Sequence, residues 1–224
     1  GGTIDVTAPT GYAAGFTTSP INSTNNTAAA FNITTAELGT TYNYSITSSG
    51  GGAAVTGTGT VSAATQSVTG IDVSGLGDGT LTVSVTLTDT AGNIGAVATA
   101  TTTKDVSVPS AYAAAFTTSP INSTNNTAAA FNITTAELGT TYTYSITSSG
   151  GGAAVTGTGT VSAATQSVTG IDVSGLGDGT LTVSVTLTDT SSNVGTAATA
   201  TTTKDVVVPF ITSVTPPANA TYEP

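Results

Sequence analysis

The chain has no cysteine, histidine, methionine, tryptophan or arginine, and its only basic residues are Lys104 and Lys204. Without cysteine, no disulfide framework can staple the fold. Without His or Cys, the Ser–His–Asp and Cys–His nucleophilic arrangements are excluded. Zinc sites built on imidazole or thiolate are excluded as well. Two lysines against twelve acidic residues leave a net charge of -10. Such a chain offers no basic face to neutralise phosphates, so nucleic acid is not an expected partner, and an anionic membrane surface would repel it. No run is apolar enough to cross a bilayer, so no direct membrane insertion is expected. No secretory leader is visible, which weighs little because the chain reads as an excised fragment.

Charge of either sign is scarce: 6% of residues are charged, against about 25% in ordinary soluble domains. Solubility therefore falls to the hydroxyls and amides of Thr, Ser and Asn. Val, Ile and Thr are abundant, and disorder normally goes with high net charge and few β-branched residues, so an ordered chain is the stronger reading. Twelve carboxylates make a divalent cation a plausible partner.

The dominant feature is internal repetition. Residues 11–110 align with 111–210 without a gap, and only ten pairs differ. These are Gly11/Ala111, Gly15/Ala115, Asn43/Thr143, Ala91/Ser191, Gly92/Ser192, Ile94/Val194, Ala96/Thr196, Val97/Ala197, Ser107/Val207 and Ser110/Phe210. Near-identity suits an array in which each unit adds length. Four segments follow: residues 1–5 as the tail of a preceding repeat, 6–105 and 106–205 as two repeats, and 206–224 as the start of a different module.

Within a repeat the apolar residues alternate. Leu81-Thr-Val-Ser-Val-Thr-Leu87 is apolar at every odd position, the period of a half-buried strand. Tyr42, Tyr44 and Ile46 share one face of another strand. Further strands are read near Tyr12–Phe16, at Phe31–Thr34, at Val55–Val61 with two glycines in phase, around Val68 and Ile71–Val73 with a bulge near Gly70, and from Ile94 to Thr102. No segment has a helical period. About seven short strands per repeat, separated by turn signals, predict an all-β chain of tandem immunoglobulin-like β-sandwiches arranged end to end.

The stretch Asp78-Gly-Thr-Leu-Thr-Val-Ser-Val-Thr-Leu-Thr-Asp-Thr-Ala-Gly-Asn93, followed by Lys104-Asp-Val-Ser-Val-Pro109, resembles the bacterial Ig-like repeats of giant secreted adhesins. Ser19-Pro-Ile-Asn22 and Gly39-Thr-Thr-Tyr-Asn-Tyr44 with Ser48-Ser-Gly-Gly-Gly52 add to the resemblance, which spans both repeats. It implies secretion, often by type I export, an extracellular place on the bacterial surface, a stalk that carries adhesive domains, and calcium at domain junctions. The chain departs from that pattern where it has Leu81 and Leu181 in place of an aromatic, so a tyrosine corner is not available there. It departs again at Ser191-Ser192, which replaces Ala-Gly.

Strand order places the acidic turns. Alternate loops of a sandwich fall at opposite ends. The turn with Glu37 and the turn with Asp89 and Asn93 lie where the chain enters, near Asp5. Asp78 lies where it leaves, near Asp105. Stacking the second repeat on the first would gather Asp78, Asp105, Glu137, Asp189 and Asn193. Calcium takes six to eight oxygens, and this set supplies many of them. The alternative is plain turn chemistry, since Asp and Asn bond their own backbone in tight turns.

Other signals are weaker. Asn22, Asn25, Asn32, Asn43 and Asn219 open glycosylation sequons that arise easily in a Thr-rich chain. Lys104 and Lys204 are expected to be solvated at a strand end. The loops are Gly, Ser, Asn and Ala, with few aromatic anchors for a ligand. The sequence therefore favours a non-catalytic spacer whose partners are neighbouring repeats. Self-association through exposed strand edges, and a ligand-binding role for each repeat, stay open.

Overall fold

In the computed structural model, residues 4–214 are described. The expected tail of a preceding repeat (1–5) and the expected start of a different module (206–224) lie partly outside them, and the sequon at Asn219 lies wholly outside. The first repeat forms seven strands: β1 (Ala13–Phe16), β2 (Ala29–Thr34), β3 (Thr41–Ser48), β4 (Val55–Thr60), β5 (Gln66–Ile71), β6 (Gly79–Thr88) and β7 (Ala98–Lys104). The second forms β8 (Ala113–Phe116), β9 (Ala129–Thr134), β10 (Thr141–Ser148), β11 (Val155–Thr160), β12 (Thr165–Ile171), β13 (Gly179–Thr188) and β14 (Ala198–Lys204). The chain is all-β. It divides into two compact units: residues 4–110 with Thr188–Thr196, and residues 111–187 with 197–214.

Each repeat packs a three-stranded sheet against a four-stranded one. In the first repeat the orders are β1-β2-β5 and β4-β3-β6-β7. The fourth strand joins β3 rather than the other sheet, so the arrangement departs from the constant-type immunoglobulin order and keeps the sandwich architecture.

Strand β6 explains why the sheets pack. Leu81, Val83, Val85 and Leu87 are all fully buried, while Thr82, Ser84, Thr86 and Thr88 face outward and are half-buried. Opposite them lie Ile21, Phe31, Ile33 and Val68 in one core cluster. Phe31 meets the ring of Tyr44 edge-on at 5.2 Å between centroids, the geometry that aromatic quadrupoles favour. The same set recurs in the second repeat around Phe131 and Tyr144.

The two glycines in β4 have a packing role. Gly57 pairs with Tyr44 and Gly59 with Tyr42 across the strands. A β-carbon added at Gly57 would lie 2.5 Å from Tyr44 Cε1. The rings thus lie over the glycine backbone on one side and against the core cluster on the other, which leaves the tyrosines half-buried. The bulge expected near Gly70 is present: the β2–β5 register shifts between Phe31↔Val68 and Ala29↔Ile71, and Gly70 has φ +69.

One boundary differs from expectation. The last strand begins at Ala98, not Ile94. Ile94 makes only an isolated bridge to Thr88 and is exposed. The tight turn after β6 consumes these residues, because the N–H of Gly95 already bonds Leu87 O at 2.8 Å.

Because the Tyr44 ring fills the space over Gly57, Gly57→Val is expected to destabilise the first unit by about 1–3 kcal/mol, the usual range for overpacking. Urea unfolding of the purified variant against the parent checks this.

Candidate functional site

The acidic and amide residues singled out in the sequence sit in turns, and most are engaged by backbone. Asp89 Oδ1 accepts the N–H groups of Ala91 (2.9 Å) and Asn93 (2.8 Å), and its Oδ2 accepts Asn93 Nδ2 at 2.7 Å. Asn93 Nδ2 also donates to Asp5 O at 3.2 Å. Asp5 Oδ1 accepts the N–H of Thr7. The carboxylate therefore closes the β6–β7 turn, as the hydrogen-bonding habit of Asp in tight turns implies. Asp189 and Asn193 repeat this: Asp189 Oδ1 accepts Ser191 and Asn193 N–H, both at 2.8 Å.

The Asp189–Asn193 turn belongs to the same compact unit as residues 4–110. There Asn22 Nδ2 donates to Ser191 O at 2.9 Å and the N–H of Ser23 donates to Asn193 Oδ1 at 2.9 Å. Asn193 Nδ2 donates to Asp105 O at 2.8 Å. Asn193 is fully buried and Asn22 and Ser191 are nearly so. Buried amides need partners, and all of these have them. The structure thus brings Asp105, Asp189 and Asn193 together through an amide and a carbonyl.

Asp78 and Asp105 organise the stretch after β7. Asp78 Oδ1 accepts the N–H of Val106 at 3.2 Å, and its Oδ2 accepts Ser107 Oγ at 3.2 Å. Asp105 Oδ1 accepts the N–H of Ser107 at 3.0 Å. In the second repeat Asp178 and Asp205 bind the N–H groups of Val206 and Val207 in the same way. The Ser107/Val207 difference removes only the hydroxyl contact. Glu37 and Glu137 are exposed, and the structure uses their carbonyls, which accept Thr40 and Thr140 Oγ1 at 2.7 Å.

Among the described residues, no three acidic side chains form a group able to hold a metal ion. The carboxylates at Asp78, Asp89, Asp105 and Asp189 point at N–H groups rather than at one another.

Lysine is the residue the sequence reading misplaces. Lys104 is 2% exposed, not solvated. Its Nζ donates to Leu76 O at 2.8 Å and to Asp78 Oδ1 at 3.2 Å. Lys204 repeats this with Leu176 and Asp178. The strand end is buried because Ile21 pairs alongside it in parallel, through Ile21 N–H to Thr103 O and Asp105 N–H to Ile21 O, both 2.9 Å. A buried ammonium needs its charge and protons met. Leu76 O, Asp78 and the extra segment at Ile21 meet both needs. The available signal was Asp78, 26 residues upstream, and only the strand pairing makes it a neighbour.

Tyr12 is a second latch that the sequence did not show. Its hydroxyl donates to Ala96 O and accepts the N–H of Leu87, and it lies where a side chain at Gly95 would stand. Asn43, Tyr44, Ser45, Ser84, Thr86 and Val97 line a shallow groove of about 240 Å³ beside β3 and β6, while the Tyr44 ring itself packs on Phe31. Two of these six positions differ in the second repeat, as Thr143 and Ala197.

The hydrogen bonds also set the acid behaviour. Ser74 holds the Asp72 carboxyl below the usual range, as Ser174 does for Asp172. Asn93, with the turn N–H groups, lowers Asp89. Partial burial works against the charged form of Asp78. The N–H of Val106, the Lys104 ammonium and Ser107 outweigh it, and the net shift is downward.

No family model matches the chain, and no curated protein matches it. Among solved structures the chain is similar to a tetra-tandem repeat in the extending region of a large adhesion protein. That match has 28% identity and a TM-score of 0.43 over 88% of this chain and 50% of that one. It is also similar to part of a 1.5-MDa bacterial ice-binding adhesin, with 22% identity and a TM-score of 0.47 over 89% of this chain and 66% of that one. A third likeness is to fibronectin domains 1–3 of chicken CNTN1, with 13% identity and a TM-score of 0.44 over 88% and 64%. The chain thus spans half of the first of these structures and less than two thirds of the other two.

Two outcomes follow. Lys104→Met is expected to cost about 2 kcal/mol, because Leu76 O loses a charged donor in a buried place; denaturant unfolding reads it. Depressed carboxyls contribute stability that is present above their unfolded value of about 3.9 and is lost as pH falls through the folded values. The thermal midpoint should therefore hold from neutral pH to about pH 5 and drop below about pH 4, as followed by circular dichroism across an acid series.

Proposed function

We propose that this chain is a non-catalytic spacer, a length of extracellular stalk in a bacterial surface adhesin that extends adhesive domains for attachment. The observation that carries this reading is the near-copying of one whole sandwich, with its core, bulge, lysine clamp and tyrosine latch. Selection for distinct chemistry would alter loops and clefts between two copies. Here the ten differences leave every strand in place. The fastening of Val106 and Ser107 by Asp78 and Asp105 suits a chain that transmits tension, because the exit from the fold is tied back to it. Loops rich in Gly, Ser and Asn, with carboxylates turned inward to their own N–H groups, offer little to a ligand or to acid–base chemistry.

A ligand-binding reading would rest on the groove at Asn43 and Val97. Asn43 and Val97 are both replaced in the second repeat, so that groove is not a repeated feature, and the spacer reading is the better supported.

Single-molecule stretching of the whole chain should give two similar unfolding steps, each releasing on the order of 300 Å for a repeat of this length. One merged step, or saturable binding on a glycan array that is lost with Asn43→Ala, would overturn the spacer reading.

A further inference from the structure

The first and last strands of each repeat belong to opposite sheets. In the first repeat β1 lies in the three-stranded sheet and β7 in the four-stranded one. Between the sheets stands the apolar core, whose packing is non-directional. It opposes separation of the sheets more than it opposes their sliding.

Hydrogen bonds stitch the two end segments together along a seam. Tyr12 Oη donates to Ala96 O, and Thr102 Oγ1 donates to Ser19 Oγ at 2.9 Å. Ile21 N–H donates to Thr103 O and Asp105 N–H to Ile21 O, both at 2.9 Å. Positions climb together in both segments, and the Ile21↔Lys104 bridge is parallel. The buried Lys104 anchors the far end of the seam, because its Nζ holds Leu76 O and Asp78. The second repeat has the seam again, with Thr202 Oγ1 to Ser119 Oγ at 2.9 Å, Ile121 N–H to Thr203 O at 2.9 Å and Asp205 N–H to Ile121 O at 3.0 Å. The side chains that build it, Tyr12, Ser19, Thr102 and Lys104, recur unchanged as Tyr112, Ser119, Thr202 and Lys204.

Tension enters a repeat ahead of Tyr12 and leaves it beyond Asp105. Because the two segments run parallel, the pulls act in opposite directions along neighbouring stretches of chain. Sheet hydrogen bonds lie across their strands, so this pull loads the seam in shear, all its bonds at once. A pair pulled apart from one end would lose its bonds singly.

We infer that the seam is the mechanical clamp of each repeat: it sets the force at which the repeat unfolds, while the core sets most of the equilibrium stability. The two quantities separate because forced unfolding follows the unfolding rate rather than the equilibrium free energy. The clamp deepens the spacer reading and rests on it for its purpose, but its geometry belongs to each repeat by itself.

The test is single-molecule stretching of the intact chain, with the second repeat as internal reference. Tyr12→Phe with Thr102→Val removes the side-chain bonds of the first seam only. The two matched steps of the parent should separate into one at lower force and one unchanged. Val68→Ala opens a core position on β5, at the far edge of its sheet from β1. It should lower the urea midpoint and leave both steps near the parent force. The chain has no cysteine, so Ser23→Cys with Ser107→Cys, both at exposed positions, gives a second pulling axis without altering a seam side chain. That axis peels Asp105 and Thr103 from Ile21 in turn, and it should unfold the first repeat at lower force than end-to-end pulling. A seam variant whose steps stay matched, a Val68→Ala chain whose step falls as far as the seam variant's, or equal forces along the two axes would each overturn the clamp. Matched steps in the seam variant would leave the spacer reading standing, so the two fail separately.

Discussion

The constraint on which the rest depends is the strict alternation of β6. Four apolar side chains in period two, all fully buried, require a second sheet to cover them. A one-residue slip would put four hydroxylic side chains into the core and four hydrocarbons into water. With few aromatic rings available, this strand supplies much of the central apolar layer. Its hydrogen-bonded neighbours β3 and β7 inherit their register from it. The Tyr42 and Tyr44 rings then lie over Gly59 and Gly57, because the same register puts ring and glycine opposite each other.

Scarcity of charge shapes how the chain uses the charges it has. Each repeat owns one lysine, and the fold spends it inside, tying the Leu76 carbonyl and Asp78 to the end of the last strand. Asp78 in turn holds the backbone that follows. One ion pair thus connects a loop, a strand end and the exit segment. Among the described residues, the remaining aspartates outside the lysine clamps cap turns. This economy explains how a protein with so much Gly, Ser and Thr keeps defined loops: the short acceptors bond N–H groups one to four residues away, and little side-chain entropy is lost in holding them.

How much of this was legible varies with the range of the interaction. The seven strands, the bulge at Gly70 and the turn role of Asp89 follow from local pattern, and the structure has them. The start of the last strand was misjudged, because Ile94 and Val97 look like strand residues while the turn at Asp89–Asn93 holds them out of the ladder. The order of loops suggested a meeting of Asp78, Asp105, Glu137, Asp189 and Asn193 around calcium; of these, Asp105, Asp189 and Asn193 lie in hydrogen-bond contact. What was not foreseen is that an amide and a carbonyl join them, with each carboxylate already serving its own turn.

By itself the sequence determined the repeat, the all-β class, the position of most strands, and the exclusion of disulfides, imidazole chemistry and a basic surface. Periodicity and composition act residue by residue, so they survive in one dimension. Only the tertiary structure decided that Lys104 is buried, that Tyr12 reaches Ala96 and Leu87, that β4 joins β3, and that Asn22 bonds Ser191 O. Each of these depends on which distant segments the folded sheets bring within hydrogen-bond range, and a local pattern carries no record of that.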